Sequence, residues 1–444
     1  MDYTAALVTM IALFDLCRRI AGLQFAALAA AVFAFGTWPA ARQAYGGFLE
    51  RTITEPFISL FATAAMWAAA VAMPQMRKGW AGVSGMFIGV AVVFKPMAVV
   101  YWPAAVAWVW FQSDFAWARR FATYSAAGAL VAPVLTITWM WTTGILPDAW
   151  LTLAVYNGAY LTLGDLGVFD LLNRFAHEVF RRMKTDEVWA LGTVAAAVAV
   201  GGWRWRHARS APIAAAGVFW LGAALVAIVL NGPRMFQTYF MPALVPLCLL
   251  SAWLLDQAFA RARRWRVATA ALVVALFAIM LVRSGSLRRA ADVTRADMLQ
   301  LFGLTERQDY LRRFQSRATQ AFSAADAERL ADYLRARTTP DERVFIFGMT
   351  ASAYFLSGRL PASRFLFVYP AVSNMANRPE FRVETLAAEL TRSTPRYVVL
   401  QRHNRDNFSG WRAEDSFAAP PMVALLQDYR QETEIGDYAL YRRN

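Results

Sequence analysis

Glu55 stands in Arg51-Thr-Ile-Thr-Glu-Pro56, where a polar stretch meets an apolar run. A carboxylate at a water–lipid boundary binds a cation or accepts a proton from an attacking hydroxyl. The position suits a helix N-terminus equally well, with Thr54 as N-cap, Pro56 in the first turn and a macrodipole that favours an acid. Lys95, in Val-Val-Phe-Lys95-Pro96-Met, is more telling. About 14 helical residues at about 1.5 Å each would carry it about 21 Å into a hydrocarbon core of about 30 Å. A lysine at that depth either snorkels or meets an anion. A third cluster, Asn231-Gly-Pro-Arg234-Met-Phe-Gln-Thr-Tyr239, forms a short turn between two apolar runs. Arg42 and Arg51 lie in the loop before Glu55. Cations gathered around one carboxylate suit a pocket for a membrane-borne phosphate, through charge-assisted hydrogen bonds. Taken singly, each also fits an ordinary loop or aromatic-belt role.

The elements that must position these residues are membrane helices. The 444 residues are 58% hydrophobic and only 17% charged, with 17 Trp, 31 Phe and 15 Tyr. The apolar runs end near residue 282, and from Arg283 the chain reads like a soluble protein. A water-soluble protein with one ordinary core is excluded, as are disordered, collagen-like and disulfide-stapled chains. Ten spans are expected, at 3–16, 22–37, 55–73, 81–94, 96–112, 121–142, 187–202, 212–231, 239–256 and 267–282. Several are shorter than the roughly 20 residues of a straight span, which implies tilted or re-entrant helices.

Basic residues mark every second loop: Arg18/Arg19, Arg77/Lys78, Arg119/Arg120, Arg204/Arg206/Arg209 and the run Arg261, Arg263, Arg264, Arg266. The positive-inside rule then places these flanks inside and the soluble tail outside the cytoplasm, and it accounts for much of the net charge of +14 without nucleic acid. The same parity puts Met1 outside, with no signal-peptide pattern ahead of the first run. A first helix running inward normally follows an earlier one, so a missing beginning, with at least one span and one outer loop, is expected; a genuine N-out protein is the alternative. Residues 168–182, within the long outer stretch 143–186, have the spacing of an amphipathic helix lying in the interface.

Residues 1–283 thus read as the membrane domain, 284–323 as a helical linker, and 324–444 as a small extracytoplasmic α/β domain. In that domain helix 324–337 precedes a turn at Thr339–Glu342 and a buried strand Val344–Phe347 ending at Gly348. Helix 380–392 and strand Tyr397–Leu400 repeat the pattern, and a hairpin near 430–442 turns at Gly436-Asp437. Walker loops, dinucleotide fingerprints, HExxH and paired-Cys motifs are absent from the sequence. Cys17 and Cys248 build no disulfide framework, and His177, His207 and His403 are too dispersed for a metal site.

The order Thr-Glu-Pro before an apolar helix, then Gly85…Gly89…Lys95-Pro96, then Arg234-Met-Phe-Gln-Thr-Tyr239-Phe-Met-Pro242-Ala-Leu-Val-Pro246, resembles bacterial lipid-linked-sugar glycosyltransferases. These form the protein O-mannosyltransferase and aminoarabinose transferase group, with the GT-C membrane fold. The tail resembles the soluble domain often attached to that group, through Phe345-Ile-Phe-Gly348, Tyr354-Phe-Leu-Ser-Gly-Arg359 and Pro361-Ala-Ser-Arg364-Phe365. The resemblance implies a polytopic α-helical membrane protein in the bacterial inner membrane. It implies inverting transfer of a sugar from a polyprenyl-phosphate carrier to a hydroxyl on a glycan, lipid or protein at the outer face. Glu55 then matches the second acidic position of the family. Lys95, Arg234, Tyr239, Arg42 and Arg51 become the donor-phosphate contacts, and Glu55 is the candidate ligand of any divalent cation. Two departures stand out. The family's main catalytic acid, in the first large outer loop, has no counterpart in this sequence, and Thr238 replaces a frequent His. A transporter or flippase of a lipid-linked or small solute, and a catalytically incomplete scaffold, are the rival readings.

Overall fold

The structure, a computed structural model, describes residues 2–37, 54–161, 167–201, 211–261, 275, 286–316, 322–372, 378–404 and 411–444. The chain divides into two compact units: Met1–Ala149 with Gly164–Thr294, and Trp150–Leu163 with Arg295–Asn444.

The first unit is helical. Helix α1 (Asp2–Ala21) stops at Gly22, whose φ of +93° suits glycine, and α2 (Leu23–Thr37) follows. Asp15, nearly two turns before the end of α1, accepts hydrogen bonds from Arg18, Arg19 and Trp67 Nε1. The Trp67 bond ties α1 to α3 (Glu55–Ala72). Helix α4 (Lys78–Phe94) breaks at Lys95-Pro96 into a 3-10 turn, Pro96–Val100, and the chain continues in α5 (Tyr101–Gln112). Asp114 then caps α6 (Phe115–Thr142) by accepting from the Trp117 amide at 2.6 Å. The next four long helices are α7 (Val168–Thr185), α8 (Glu187–Gly201), α9 (Ala211–Leu230) and, after a 3-10 turn Gln237–Ala243, α10 (Leu244–Arg261).

Each expected span from 3–16 to 239–256 falls on a helix. Four helical stretches are long and apolar enough to cross a membrane by length and composition: Glu55–Ala72, Phe115–Thr142, Pro212–Leu230 and Gln237–Ala260. The expected span 267–282 and most of the basic flanks at 204–209 and 261–266 lie outside the described residues. Helix α6 leaves Leu130, Val134, Leu135, Ile137, Trp139 and Trp141 exposed, an apolar face of the kind that lipid covers.

Small residues bring α4 and α6 together backbone to backbone. A methyl group on Gly85 would fall onto the Ser125 carbonyl, one on Gly89 onto the Ala129 carbonyl, and one on Gly128 onto the Gly82 carbonyl. Such close approach is how helices associate where apolar burial gives no drive between them. The core of the unit is aromatic, with Trp108, Trp117, Trp189, Trp220, Trp253 and Phe240 almost fully buried. Helix α7 is amphipathic, as its spacing predicts. Leu171, Phe175 and Val179 pack on the core, and buried Arg182 places its guanidinium 3.8 Å from the Phe240 ring centroid. Phe169, Leu172 and Phe180 remain exposed.

Helix α11 (Ser286–Leu301) carries the chain into the second unit, an α/β domain. Ser323 caps α12 (Ala324–Arg337) and β1 (Val344–Phe347) follows; α13 (Val383–Ser393) leads to β2 (Tyr397–Gln401). The hairpin β3 (Tyr429–Ile435) and β4 (Tyr438–Arg443) closes the sheet in the order β1-β2-β4-β3. β1 and β2 are parallel, in the register Val344↔Tyr397 to Phe347↔Leu400, and the remaining pairs are antiparallel. Gly436, at φ +57°, makes the hairpin turn, and the register shifts between Gln431 and Thr433.

β1 and β2 are buried along their whole length, which explains their unbroken apolar runs. Phe345, Phe347, Val398 and Leu400 face a core with Phe381, Leu386 and Leu390; Val344, Ile346, Tyr397 and Val399 face Leu330, Leu334, Tyr438 and Leu440. The turns Leu151–Tyr156 and Asn157–Leu161 belong to this unit, although the sequence places them between α6 and α7. Tyr156 is buried against Phe381, with ring centroids 5.2 Å apart.

Candidate functional site

Glu55 opens α3 with Pro56 beside it, yet Thr54 does not act as N-cap. Thr54 has helical dihedrals, and its hydroxyl donates to Glu55 Oε2 at 3.1 Å instead of receiving an amide. The capping reading of this tripeptide is therefore corrected: the hydroxyl serves the carboxylate. Glu55 is only 5% exposed, so its charge requires a partner.

That partner is Lys95. Phe94 is the last residue of α4, and Lys95 turns extended at φ −158° while its amide still donates to Ala91 O at 3.0 Å. Pro96 has no amide hydrogen and disfavours a helical residue before it, so the helix stops here on local grounds. Lys95 Nζ reaches Glu55 Oε1 at 2.9 Å and lies 3.8 Å from the centroid of the Tyr239 ring. The ammonium is thus held by a carboxylate on one side and a ring face on another. Tyr239 is carried by the 3-10 turn Gln237–Ala243, and its ring meets that of Phe236 edge-on at 5.5 Å.

These three side chains line one pocket with Ile58, Met97, Ala98, Tyr101, Ala227, Asn231 and Pro242, about 280 Å³ with its open mouth included. Glu55, Lys95 and Tyr239, from segments 40 and more positions apart in the sequence, meet there. Arg234 does not line it. Arg234 is buried in the turn that Gly232 (φ +84°) and Met235 (φ +41°) shape. Arg42 and Arg51 lie outside the described residues.

Sequence reasoning missed Tyr101 and left Asn231 as part of a turn motif. Asn231 Nδ2 donates to Ala227 O at 2.7 Å, one turn back in α9. Tyr101 follows Lys95 by six positions, and only the 3-10 turn between them returns both to one pocket. No period-3.6 pattern announces that. For a divalent cation the donor set is poor. Among the described residues no other carboxylate, histidine or cysteine lines the pocket, and the ammonium stands against Glu55. Among the described residues Glu55 thus has no second carboxylate, histidine or cysteine beside it there.

The sequence matches no protein-family model and no curated protein. Solved structures do share its fold. ArnT from Cupriavidus metallidurans bound to undecaprenyl phosphate aligns over 99% of this chain and 82% of its own length, at 15% identity and a TM-score of 0.55. The same protein in the apo state aligns over the same shares at 15% identity and 0.52. The oligosaccharyltransferase AglB from Archaeoglobus fulgidus, in complex with an inhibitory peptide and a dolichol-phosphate, aligns over 100% of this chain and 63% of its own, at 13% identity and 0.46. The chain thus spans under two thirds of the archaeal protein and about four fifths of ArnT. What the likeness to ArnT establishes is the fold: a polytopic helical membrane protein of GT-C type with a small C-terminal α/β domain.

Proposed function

We propose that this chain is a membrane glycosyltransferase moving one sugar from a polyprenyl-phosphate carrier to a hydroxyl acceptor, with inversion. The observation that carries the reading is the Lys95 ammonium, held over Tyr239 and against Glu55 in a pocket of a GT-C fold. ArnT, a protein of that fold, has been solved with undecaprenyl phosphate bound, which supports the donor class.

In the proposed reaction the acceptor oxygen forms a bond to the anomeric carbon as the carbon–oxygen bond to phosphate breaks. A single displacement of this kind inverts the configuration. The polyprenyl phosphate departs with the electron pair, and the acceptor proton passes to a carboxylate. Lys95 stabilises charge on the departing phosphate in a site of low dielectric, where a fixed cation acts strongly. Tyr239 holds the ammonium in place; in this reading Arg42 and Arg51 add positive charge around the phosphate, and Arg234, outside the pocket lining, contributes from its turn. Glu55 is the carboxylate of this site and takes the proton as general base. The acceptor is a glycan, lipid or protein hydroxyl.

The proposal places residues 1–283 in the bacterial inner membrane and the domain 324–444 on its extracytoplasmic side, after the linker 284–323. Reporter fusions at residues 210 and 420 test the sidedness; an inner location for 420 overturns it. Membranes from cells expressing the native gene, given labelled lipid-phosphate sugars, test the chemistry. Labelled sugar on an acceptor supports transfer. Counterflow of a solute or lipid without covalent product makes the protein a transporter or flippase instead.

A further inference from the structure

Tyr101 is the first residue of α5 and is 4% exposed. Its hydroxyl oxygen is buried and has no hydrogen-bond partner among the described residues, although Tyr101 lines the Glu55–Lys95 pocket. A buried hydroxyl that donates to nothing is unfavourable, and folded proteins rarely retain one without a use. The neighbouring residue shows what pairing looks like here: Trp102 Nε1 donates to Ser125 Oγ at 3.0 Å. The indole nitrogens of Trp117 and Trp220 are also buried and unmatched, but neither residue lines the pocket. Tyr101 is thus an unmatched donor in the place where a ligand would enter.

The pocket's chemistry selects the ligand group. Both Glu55 oxygens already accept bonds, Oε1 from Lys95 and Oε2 from Thr54. The ring of Tyr239 presents a π face to Lys95. A neutral phenol is foremost a hydrogen donor, and the oxygens of an ionised phosphate can only accept. A bond from a neutral hydroxyl to an anion is charge-assisted and gains strength where water is excluded. The 3-10 turn Pro96–Val100 sets Lys95 and Tyr101 at its two ends, so one chain reversal delivers a cation and a neutral donor together.

We propose that Tyr101 is a donor-binding residue whose hydroxyl donates a hydrogen bond to a phosphate oxygen of the lipid-linked ligand, beside Lys95. This inference rests on the lipid-phosphate reading of the pocket and adds a contact that the sequence did not announce. It also gives the pocket a neutral element of specificity. Lys95 attracts any anion, whereas a phenol fixed at the turn's far end favours one whose oxygens span both groups.

The test uses the purified full chain in detergent, comparing wild type with Tyr101→Phe, which keeps the ring and its packing. Without ligand, the thermal transition of Tyr101→Phe should equal or exceed that of wild type, because the hydroxyl removed makes no protein bond. Titrated with undecaprenyl phosphate, the variant should bind about tenfold more weakly, the usual scale for one hydrogen bond to a charged group. Titrated with the corresponding polyprenol, which lacks phosphate, the two proteins should not differ. Equal binding of undecaprenyl phosphate by both proteins overturns the Tyr101 role and leaves the lipid-phosphate reading intact. A lowered transition without ligand shows that the hydroxyl is bonded within the protein, and overturns the role likewise. Failure of wild type to bind undecaprenyl phosphate overturns the reading and the inference together.

Discussion

Lys95 Nζ lies 2.9 Å from Glu55 Oε1, joining a chain break after α4 to the first residue of α3, 40 positions away. Glu55 is buried and Lys95 is partly so, with side-chain exposures of 7% and 23%. Removing one partner of a buried pair leaves the other charge uncompensated, whereas removing both does not. Glu55→Gln and Lys95→Met should each destabilise the first unit, by about 1–3 kcal/mol given the partial exposure of Lys95. The double variant should recover much of that loss. A double-mutant cycle on unfolding in detergent measures the coupling; additive losses would show that the pair contributes little.

Activity separates the two cations of the proposed site. Lys95→Met keeps length and apolar bulk but removes the charge, and transfer should fall roughly 100-fold or more, the scale of a lost transition-state donor. Arg234, outside the pocket lining, should matter less, so Arg234→Gln should lose activity by a smaller factor. Both variants should insert normally, which fractionation of membranes checks. Undiminished turnover in Lys95→Met would leave Lys95 with a snorkelling role only.

The α4–α6 contact predicts opposite effects for two glycines. Gly85→Val would drive a branched side chain into the Ser125 carbonyl and should destabilise by about 3 kcal/mol or block folding. Gly222, within α9, has nothing within 4 Å of an added methyl, so Gly222→Ala should be neutral or stabilise by up to about 1 kcal/mol through helix propensity. Thermal transitions of the two variants should move in opposite directions.

In the second unit a buried guanidinium is held by hydroxyl and carbonyl oxygens, with no carboxylate among its described partners. Arg359 donates from Nε to Thr338 Oγ1 and from Nη2 to the carbonyls of Thr338 and Arg335, at 2.7, 2.6 and 3.0 Å. Nη1 reaches the Ser357 carbonyl at 3.2 Å. These oxygens lie at the C-terminal ends of α12 and of the short helix Ser352–Ser357, where helix dipoles favour a cation. Arg359→Met strands buried acceptors and should destabilise the unit by about 2–4 kcal/mol. Arg359→Lys cannot reproduce the planar fork and should recover only part. Faster hydrogen exchange at the amides of β1 and β2 in the full chain is the readout.

Acid sensitivity of the same unit should come in part from Glu432. Burial raises its pKa, but the Tyr397 hydroxyl at 2.8 Å, with Arg442 and Arg337 nearby, outweighs that and holds it below the ordinary value. A depressed carboxylate contributes stability that is complete above the unfolded pKa, about 4.3, and is lost as pH falls through the folded value. Glu432→Gln should therefore be less stable than wild type at neutral pH and approach it as pH falls below the ordinary carboxylate range. Hydrogen exchange in β3 and β4, followed between those limits, would show the two curves converging; parallel curves would remove Glu432 from the account.

The sequence by itself determined the division into apolar runs and a soluble tail, because lipid excludes charge from spans and a two-face-buried sheet demands runs such as Val344–Phe347 and Tyr397–Leu400. Local rules also ended α4 at Phe94, since Pro96 disfavours a helical Lys95 before it. They marked Glu55, Lys95 and Tyr239 as residues in costly or exposed settings, and gave α7 its amphipathic spacing. Tertiary structure decided what those residues touch. Glu55 is held by Lys95 and Thr54 and does not merely end a helix, a choice that depends on where α3 lies beside the break after α4. Arg234 is buried and does not line the pocket while Tyr101, unmarked in the sequence, does, because the 3-10 turns Pro96–Val100 and Gln237–Ala243 rotate side chains out of the 3.6-residue period. Residues 150–163, which read as a loop between spans, fold with the tail through Tyr156 and Phe381. Such contacts couple distant positions, and a one-dimensional pattern carries only what neighbouring residues and solvent impose.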